Sequence, residues 1–292
     1  MSTKKKKPEE ENGTPTPGVR HRIVAPIQVR GNIGKSTEAI VRGEWMRARG
    51  IEWQGFDLDQ DNRTFSDTFP EEVKRVELSA EPHSDLIRIL RSGTQARVTT
   101  IDPRAHLQSL ILETLKMLRF PELAAGEGCR LTVLVFPIDE LSDMDDIDRT
   151  VAELGGSVDW VIVRNPLLQR RTRMFDGSEL EAELLRLGAA TLTLPALLSD
   201  TRTYLRSKEV KLGRAVSPAE ALKNPEIDLH ITHRMVLEDW LRKLFRQYDL
   251  VAGHFLPSEE AGRITAPEPE EVATVASRPQ KRGARVNLAN IE

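Results

Sequence analysis

The chain has 292 residues, a formal net charge of −3 and a single cysteine, Cys129. That length suits one large α/β domain with tails, or two small domains, and the lone thiol excludes a disulfide framework or a cysteine metal cluster within one chain. No run approaches the roughly 18–20 apolar residues of a membrane span, and no signal-peptide core follows the N-terminus, so a cytoplasmic protein is expected.

Residues 1–18 read as a disordered tail. Lys4 to Lys7, then Glu9 to Glu11, then Gly and Pro give no apolar periodicity. Ile23-Val24-Ala25 reads as a strand, with Pro26 suggesting an edge position. A loop follows, Arg30-Gly31-Asn32-Ile33-Gly34, and Lys35-Ser36-Thr37 opens a helix ended by Gly50. Glycines let such a loop point successive backbone N–H groups at one anion, and the helix N-terminus adds its positive end. Lys35 supplies a charge for the outer phosphates, and the Ser36 hydroxyl is a hard oxygen ligand for Mg²⁺. The first glycine of G-x-x-x-x-G-K-[ST] would fall at Val29, so that pattern is broken. What remains follows the variant K-G-G-x-G-K-[ST], with Arg30 in place of the first lysine and Asn32 in place of the second glycine.

Ile51 to Leu58 reads as a strand delivering Asp57 and Asp59 at its C-terminal end, where ligands of open α/β sheets bind. Both carboxylates are placed to hold Mg²⁺ or orient a water. A short strand is expected at Val76 to Leu78 and a helix at His83 to Arg91. Ala96 to Pro103 is β-branched and runs into Asp102, the pattern of a core strand whose terminal carboxylate meets a Mg²⁺ shell. Further elements are expected at Leu107 to Leu118 (helix), Leu131 to Phe136 (strand), Asp143 to Leu154 (helix), Val158 to Val163 (strand), Glu179 to Leu187 (helix) and Thr191 to Leu194 (strand). Asp143, Asp145, Asp146 and Asp148 fall at a helix start without the turn glycine of a calcium loop. The alternation predicts an α/β fold: a doubly wound, mostly parallel sheet with helices on both faces.

From Leu197 the pattern is helical. Arg202, Arg206, Lys208, Lys211 and Arg214 come first, then an amphipathic helix over Leu229 to Val251 that carries Arg242, Lys243 and Arg246. His230 and His233 lie one turn apart without a third ligand, which favours capping or exposed roles over a metal site. Residues 257–292, rich in Pro, Glu, Ala and Arg, read as a second disordered tail, leaving 19–256 as the folded domain.

Taken together, Arg30 to Thr37, Asp57-Leu58-Asp59, Ile101-Asp102-Pro103, Val161 to Asn165 and Leu192 to Pro195 resemble, in order and spacing, the ParA/MinD class of deviant-Walker P-loop ATPases. The chain is also similar to plasmid conjugation and stability ATPases of the CobQ/CobB/MinD/ParA kind. The resemblance covers about residues 20–256. It implies an ATP-dependent homodimer with nucleotide sandwiched between two P-loops, and a partner protein that stimulates weak hydrolysis. By position, Gly31, Asn32, Ile33, Gly34 and Lys35 would cradle phosphates, Ser36 would hold Mg²⁺ and Thr37 a phosphate oxygen. Asp59 falls where the family orients the attacking water. Asp102 falls at the metal-shell carboxylate, and Asn165 where the base is held. Pro195, closing the last strand, is counted with the nucleotide-binding residues. Arg30 stands where the signature lysine reaches across the dimer; its planar, permanently charged fork is not equivalent to an ammonium.

Two other classes share these motifs. One is an ATP-dependent biosynthetic enzyme of the dethiobiotin synthetase or cobyrinate type. The other is a binding module that holds nucleotide as a switch. Stimulation of ATP turnover by DNA or protein, against dependence on a small acid substrate, separates them. The C-terminal basic residues also raise non-specific DNA binding, set against interleaved acidic residues that give an ordinary solvated face.

Overall fold

Ile23, Val24 and Ala25 alternate across the sheet, and all three are buried. Ile23 and Ala25 join one hydrophobic cluster, and Val24 joins a second on the opposite face. The same alternation recurs downstream: Leu131, Val133 and Val135 face the first cluster and Leu134 the second, while Trp160 and Ile162 oppose Val161 and Val163. Strands apolar on both faces belong in a parallel sheet covered by helices on each side.

A computed structural model describes residues 18–60, 62, 64–168 and 172–264 of the chain. Its first half comprises β1 (His21–Pro26), α1 (Lys35–Ala48), β2 (Trp53–Asp57), α2 (Thr64–Thr68), β3 (Val73–Arg75), α3 (Pro82–Gly93) and β4 (Val98–Asp102). Then come α4 (Gln108–Leu118), α5 (Phe120–Gly126), β5 (Cys129–Val135), α6 (Leu141–Leu154), β6 (Asp159–Arg164), α7 (Glu179–Arg186) and β7 (Ala190–Thr193). The helices α8 (Ser199–Leu212), α9 (Pro218–Lys223), α10 (Ile231–Leu250), α11 (Ala252–Phe255) and α12 (Ser258–Arg263) follow. The seven strands form one sheet in the order β3-β2-β4-β1-β5-β6-β7, and every pairing is parallel.

Helices α3 to α7 cover one face, while α1, α2, α10 and α11 cover the other. A third, smaller cluster of Leu205, Ala221 and Leu237 joins α8, α9 and α10. None of the described helices is long and apolar enough to cross a membrane.

Three expectations are corrected. Strand β1 is central, not an edge; Pro26 is tolerated because pairing with β4 ends at Val24, leaving Pro26 opposite Leu134 of β5. The short strand expected at Val76 to Leu78 lies at Val73–Arg75 instead, where it pairs with Gly55–Asp57, while Val76 and Leu78 pack on the core. The first residues of the tail expected from residue 257 form α12 instead, and that helix is anchored. The Ser258 backbone N–H donates to Val19 O at 2.8 Å, and Arg97 Nε donates to Glu260 at 2.6 Å. Residues 1–17 and 265–292, where the two tails are expected, lie outside the described residues.

Candidate nucleotide-binding site

The loop after β1 is held at its root by Gln28. The buried Gln28 amide donates to Phe136 O and accepts from Phe136 N, both at 3.0 Å, extending the pairing with the end of β5. The chain then turns through two left-handed residues, Asn32 (φ 60°) and Gly34 (φ 105°). Asn is among the few side chains that adopt this region readily, which explains how it can stand at a glycine position. Gly34 is more constrained: a Cβ there would lie 2.7 Å from the Asn165 amide nitrogen. That nitrogen donates to Ile33 O at 3.1 Å, tying the end of β6 to the loop. Gly34 is also the N-cap of α1 and provides no side-chain cap, so the first N–H groups of the helix are left for an anion.

Lys35 is 7% exposed, and its ammonium folds back to donate to Arg30 O at 2.9 Å and Gln28 O at 3.3 Å. Burial lowers its pKa, opposed by the nearby Asp102 and Asp59 carboxylates. Asp102, at the end of β4, is buried. Desolvation raises its pKa to about 7, against the Ser36 hydroxyl and the Lys35 ammonium, which lower it. Its Oδ1 has no hydrogen-bond partner among the described residues. An orphaned carboxylate oxygen beside a hydroxyl, below a loop that presents N–H groups, fits a Mg²⁺ held partly by phosphate oxygens and water. Among the described residues, no group of three or more His, Cys, Asp or Glu is arranged to hold a metal.

Asp57 pairs in register with Asp102 on the neighbouring strand, yet it has a different task. Its carboxylate accepts the backbone N–H groups of Asp59 (3.0 Å) and Ser66 (2.9 Å), shaping the turn into α2. Burial raises its pKa. Of the two carboxylates expected to serve metal or water, only Asp59 lines the cleft, where it accepts from Asn62 N at 3.1 Å.

The cleft measures about 800 Å³ and lies at the C-terminal ends of the strands. It brings together Gly31, Asn32, Gly34, Lys35, Ser36, Thr37, Asp59 and Asn165. It also takes in Asn62, Thr64, Arg104, His106, Leu167 and Leu168, which motif reading missed. Arg104 and His106 had a signal, since they directly follow the Asp102-Pro103 step.

Four expected residues lie outside the lining, one of them the buried Asp102 beneath it. Ile33 is buried in the core, its carbonyl taken by Asn165. The Pro195 carbonyl accepts Trp240 Nε1–H at 2.6 Å, joining the segment after β7 to α10. The Arg30 guanidinium pairs with Glu140 and, at 3.1 Å, with Asp143 at the start of α6. The histidines of α10 have structural partners: His230 caps the helix, and His233 meets the Thr201 hydroxyl at 3.0 Å and stacks on Tyr204. A groove of about 940 Å³ between α1, α9 and α10 contains none of the predicted nucleotide residues.

A seven-stranded parallel sheet with such a loop after its central strand has the architecture of a P-loop NTPase. No protein-family model matches the sequence, and no curated protein matches it. Among solved structures, the chain is similar to the septum site-determining protein MinD complexed with Mg-ADP from Pyrococcus horikoshii. Identity there is 16%, over 80% of this chain and 97% of that one, with a TM-score of 0.44. It is also similar to the MinC:MinD cell division protein complex of Aquifex aeolicus (12% identity, 77% and 95% covered, TM-score 0.40). MinD of the same organism is a further likeness (13% identity, 77% and 96% covered, TM-score 0.38).

Proposed function

We propose that the chain is an ATP-binding and ATP-hydrolysing switch of the ParA/MinD type, working as a nucleotide-dependent homodimer in DNA or plasmid partition, stability or conjugative transfer. The observation that carries this reading is the convergence of Lys35, Ser36 and the uncapped start of α1 on one cleft, with the orphaned Asp102 oxygen beneath it.

Roles follow from chemistry. The loop N–H groups and Lys35 bind the phosphates, and Thr37 takes a phosphate oxygen. Ser36 and Asp102 would hold Mg²⁺, which when bound neutralises charge on the phosphates. Asp59 orients the attacking water, and Asn165 sits on the side of the cleft where the base is received. Partner stimulation is part of the reading, because P-loop hydrolysis depends on positioning groups that a second protein or DNA can complete.

Calorimetry with ATP and Mg²⁺ tests binding, and turnover with and without duplex DNA tests the switch. A chain that binds no nucleotide is not an ATPase. A chain whose turnover depends instead on a small carboxylic acid is a biosynthetic enzyme.

A further inference from the structure

Two arginines adjoin the phosphate loop, and they differ in their partners. Arg30, within the loop, is neutralised by Glu140 and Asp143 of its own chain. Arg104 is exposed, lines the cleft, and its guanidinium has no ion-pair partner among the described residues. Lys35 and Arg104 are the lysine and arginine side chains lining that cleft among the described residues. Lys35 already faces the carboxylates of Asp102 and Asp59. A triphosphate carries several negative charges, so one ammonium shared with two carboxylates compensates it poorly.

The loop bearing Arg104 is fastened to the phosphate loop. The His106 backbone N–H donates to Val29 O at 2.9 Å, with His106 itself in the left-handed region at φ 67°. On the same seam, the Ala105 side chain lies 3.4 Å from where a Cβ on Gly31 would stand. Arg104 therefore rides on a segment whose position is set by the phosphate loop.

We infer that Arg104 is a phosphate-binding residue. From within its own chain it clamps the outer phosphates of the bound nucleotide, supplying the cationic fork that Arg30, tied to α6, does not bring to the cleft. A guanidinium suits this place because it is always charged and meets phosphate oxygens with two parallel N–H donors. The inference rests on the nucleotide-binding reading and adds to it a residue that the ATPase motifs do not include.

The test is calorimetry of the full chain with Mg-ATP, Mg-ADP and AMP, comparing wild type with Arg104→Gln and Arg104→Lys. Melting curves check that the exposed substitutions leave the fold intact. The glutamine variant should bind ATP about tenfold to a hundredfold more weakly, the range for losing a charge-assisted hydrogen bond. ADP should lose less, and AMP should stay within about twofold, because it lacks the outer phosphates. The lysine variant should fall between, with its charge kept and its fork lost. Equal losses for all three nucleotides, or an unaltered ATP affinity in both variants, would overturn the assignment while leaving wild-type ATP binding intact. A wild-type chain that binds none of the three overturns the nucleotide reading and this inference with it.

Discussion

Lys35 sits under opposed pressures, since burial disfavours its charge and two carboxylates favour it. Its hydrogen bonds to the Gln28 and Arg30 carbonyls keep the ammonium solvated by the loop itself. Anionic phosphate would reinforce that charge. Lys35→Ala should accordingly weaken Mg-ATP binding by about a hundredfold or more, read by calorimetry, because a charge-assisted contact inside a half-enclosed cleft is lost. Unchanged affinity would remove the basis for the nucleotide reading. Asp59 makes the complementary case. It lines the cleft yet is not part of the loop, so Asp59→Ala should bind ATP within a few-fold of wild type. Its hydrolysis should fall by about a hundredfold, since a group that positions water acts mainly at the transition state. Wild-type turnover in that variant would show that the carboxylate only shapes the turn through Asn62.

Elements on the two sides of the cleft are held together by a chain of charges at the opposite end of the sheet. Arg22 of β1 is buried and pairs with Asp159 of β6 across β5, whose Arg130 also donates to Asp159 at 2.9 Å. Arg22 further donates to the Gly253 carbonyl of α11 at 2.6 Å, so one guanidinium joins sheet and helix layer. Burial of Asp159 raises its pKa, but the two arginines outweigh it and the net shift is downward. A depressed carboxylate stabilises the fold above its unfolded pKa and loses that contribution as pH falls through the folded value. Asp159→Asn should cost about 3 kcal/mol near neutral pH by leaving Arg22 buried without its counter-charge. The gap between variant and wild type in denaturant titrations should close below about pH 4. A gap independent of pH would mean that packing, not charge, is what the substitution disturbs. Contacts of this kind also mark where sequence reading stopped. The alternation of β1, β5 and β6 and the Gly34-Lys35-Ser36 step are local patterns, and the sheet and most of the cleft were legible from them. The pairing of Arg30 with Glu140 and Asp143, the anchoring of α12 by Arg97 and the register that moves β3 to Val73 all join residues distant in sequence. No local periodicity carries such information. Arg104 is the intermediate case: adjacent to a recognised motif, but given its place only when its loop closes on Val29 and Gly31.

At the scale of the whole molecule, the open question is what the C-terminal helices meet. Several of the basic residues there are already occupied. Arg242 and Lys243 both pair with Asp239, at 2.5 and 2.6 Å, and Arg214 pairs with Glu220 at 2.5 Å. Lys208 lies over the Tyr204 ring at 4.9 Å. Arg202, Arg206 and Lys211, all on α8, carry no ion pair among the described residues. Arg202 and Arg206 line a groove that shares Thr37, Ile40 and Thr64 with the cleft proposed to hold nucleotide, so α8 borders that cleft. Duplex DNA bound through these three side chains would be recognised by its phosphates, without sequence preference. In a nucleotide-dependent dimer the two copies of α8 together offer six such cations, and a plot of log affinity against log salt should slope at about −5. A single protomer should bind far more weakly, because the gain from engaging two patches at once is lost. Fluorescence anisotropy of a random-sequence duplex, titrated at several salt concentrations with ATP and with ADP, measures both effects. Arg202→Ala combined with Arg206→Ala should flatten the slope by about 3.6 in the dimer, four contacts being removed, whereas Arg242→Ala should leave it unaltered. Absence of binding at low salt in the ATP state would transfer α8 from a nucleic-acid surface to one read by an acidic protein partner.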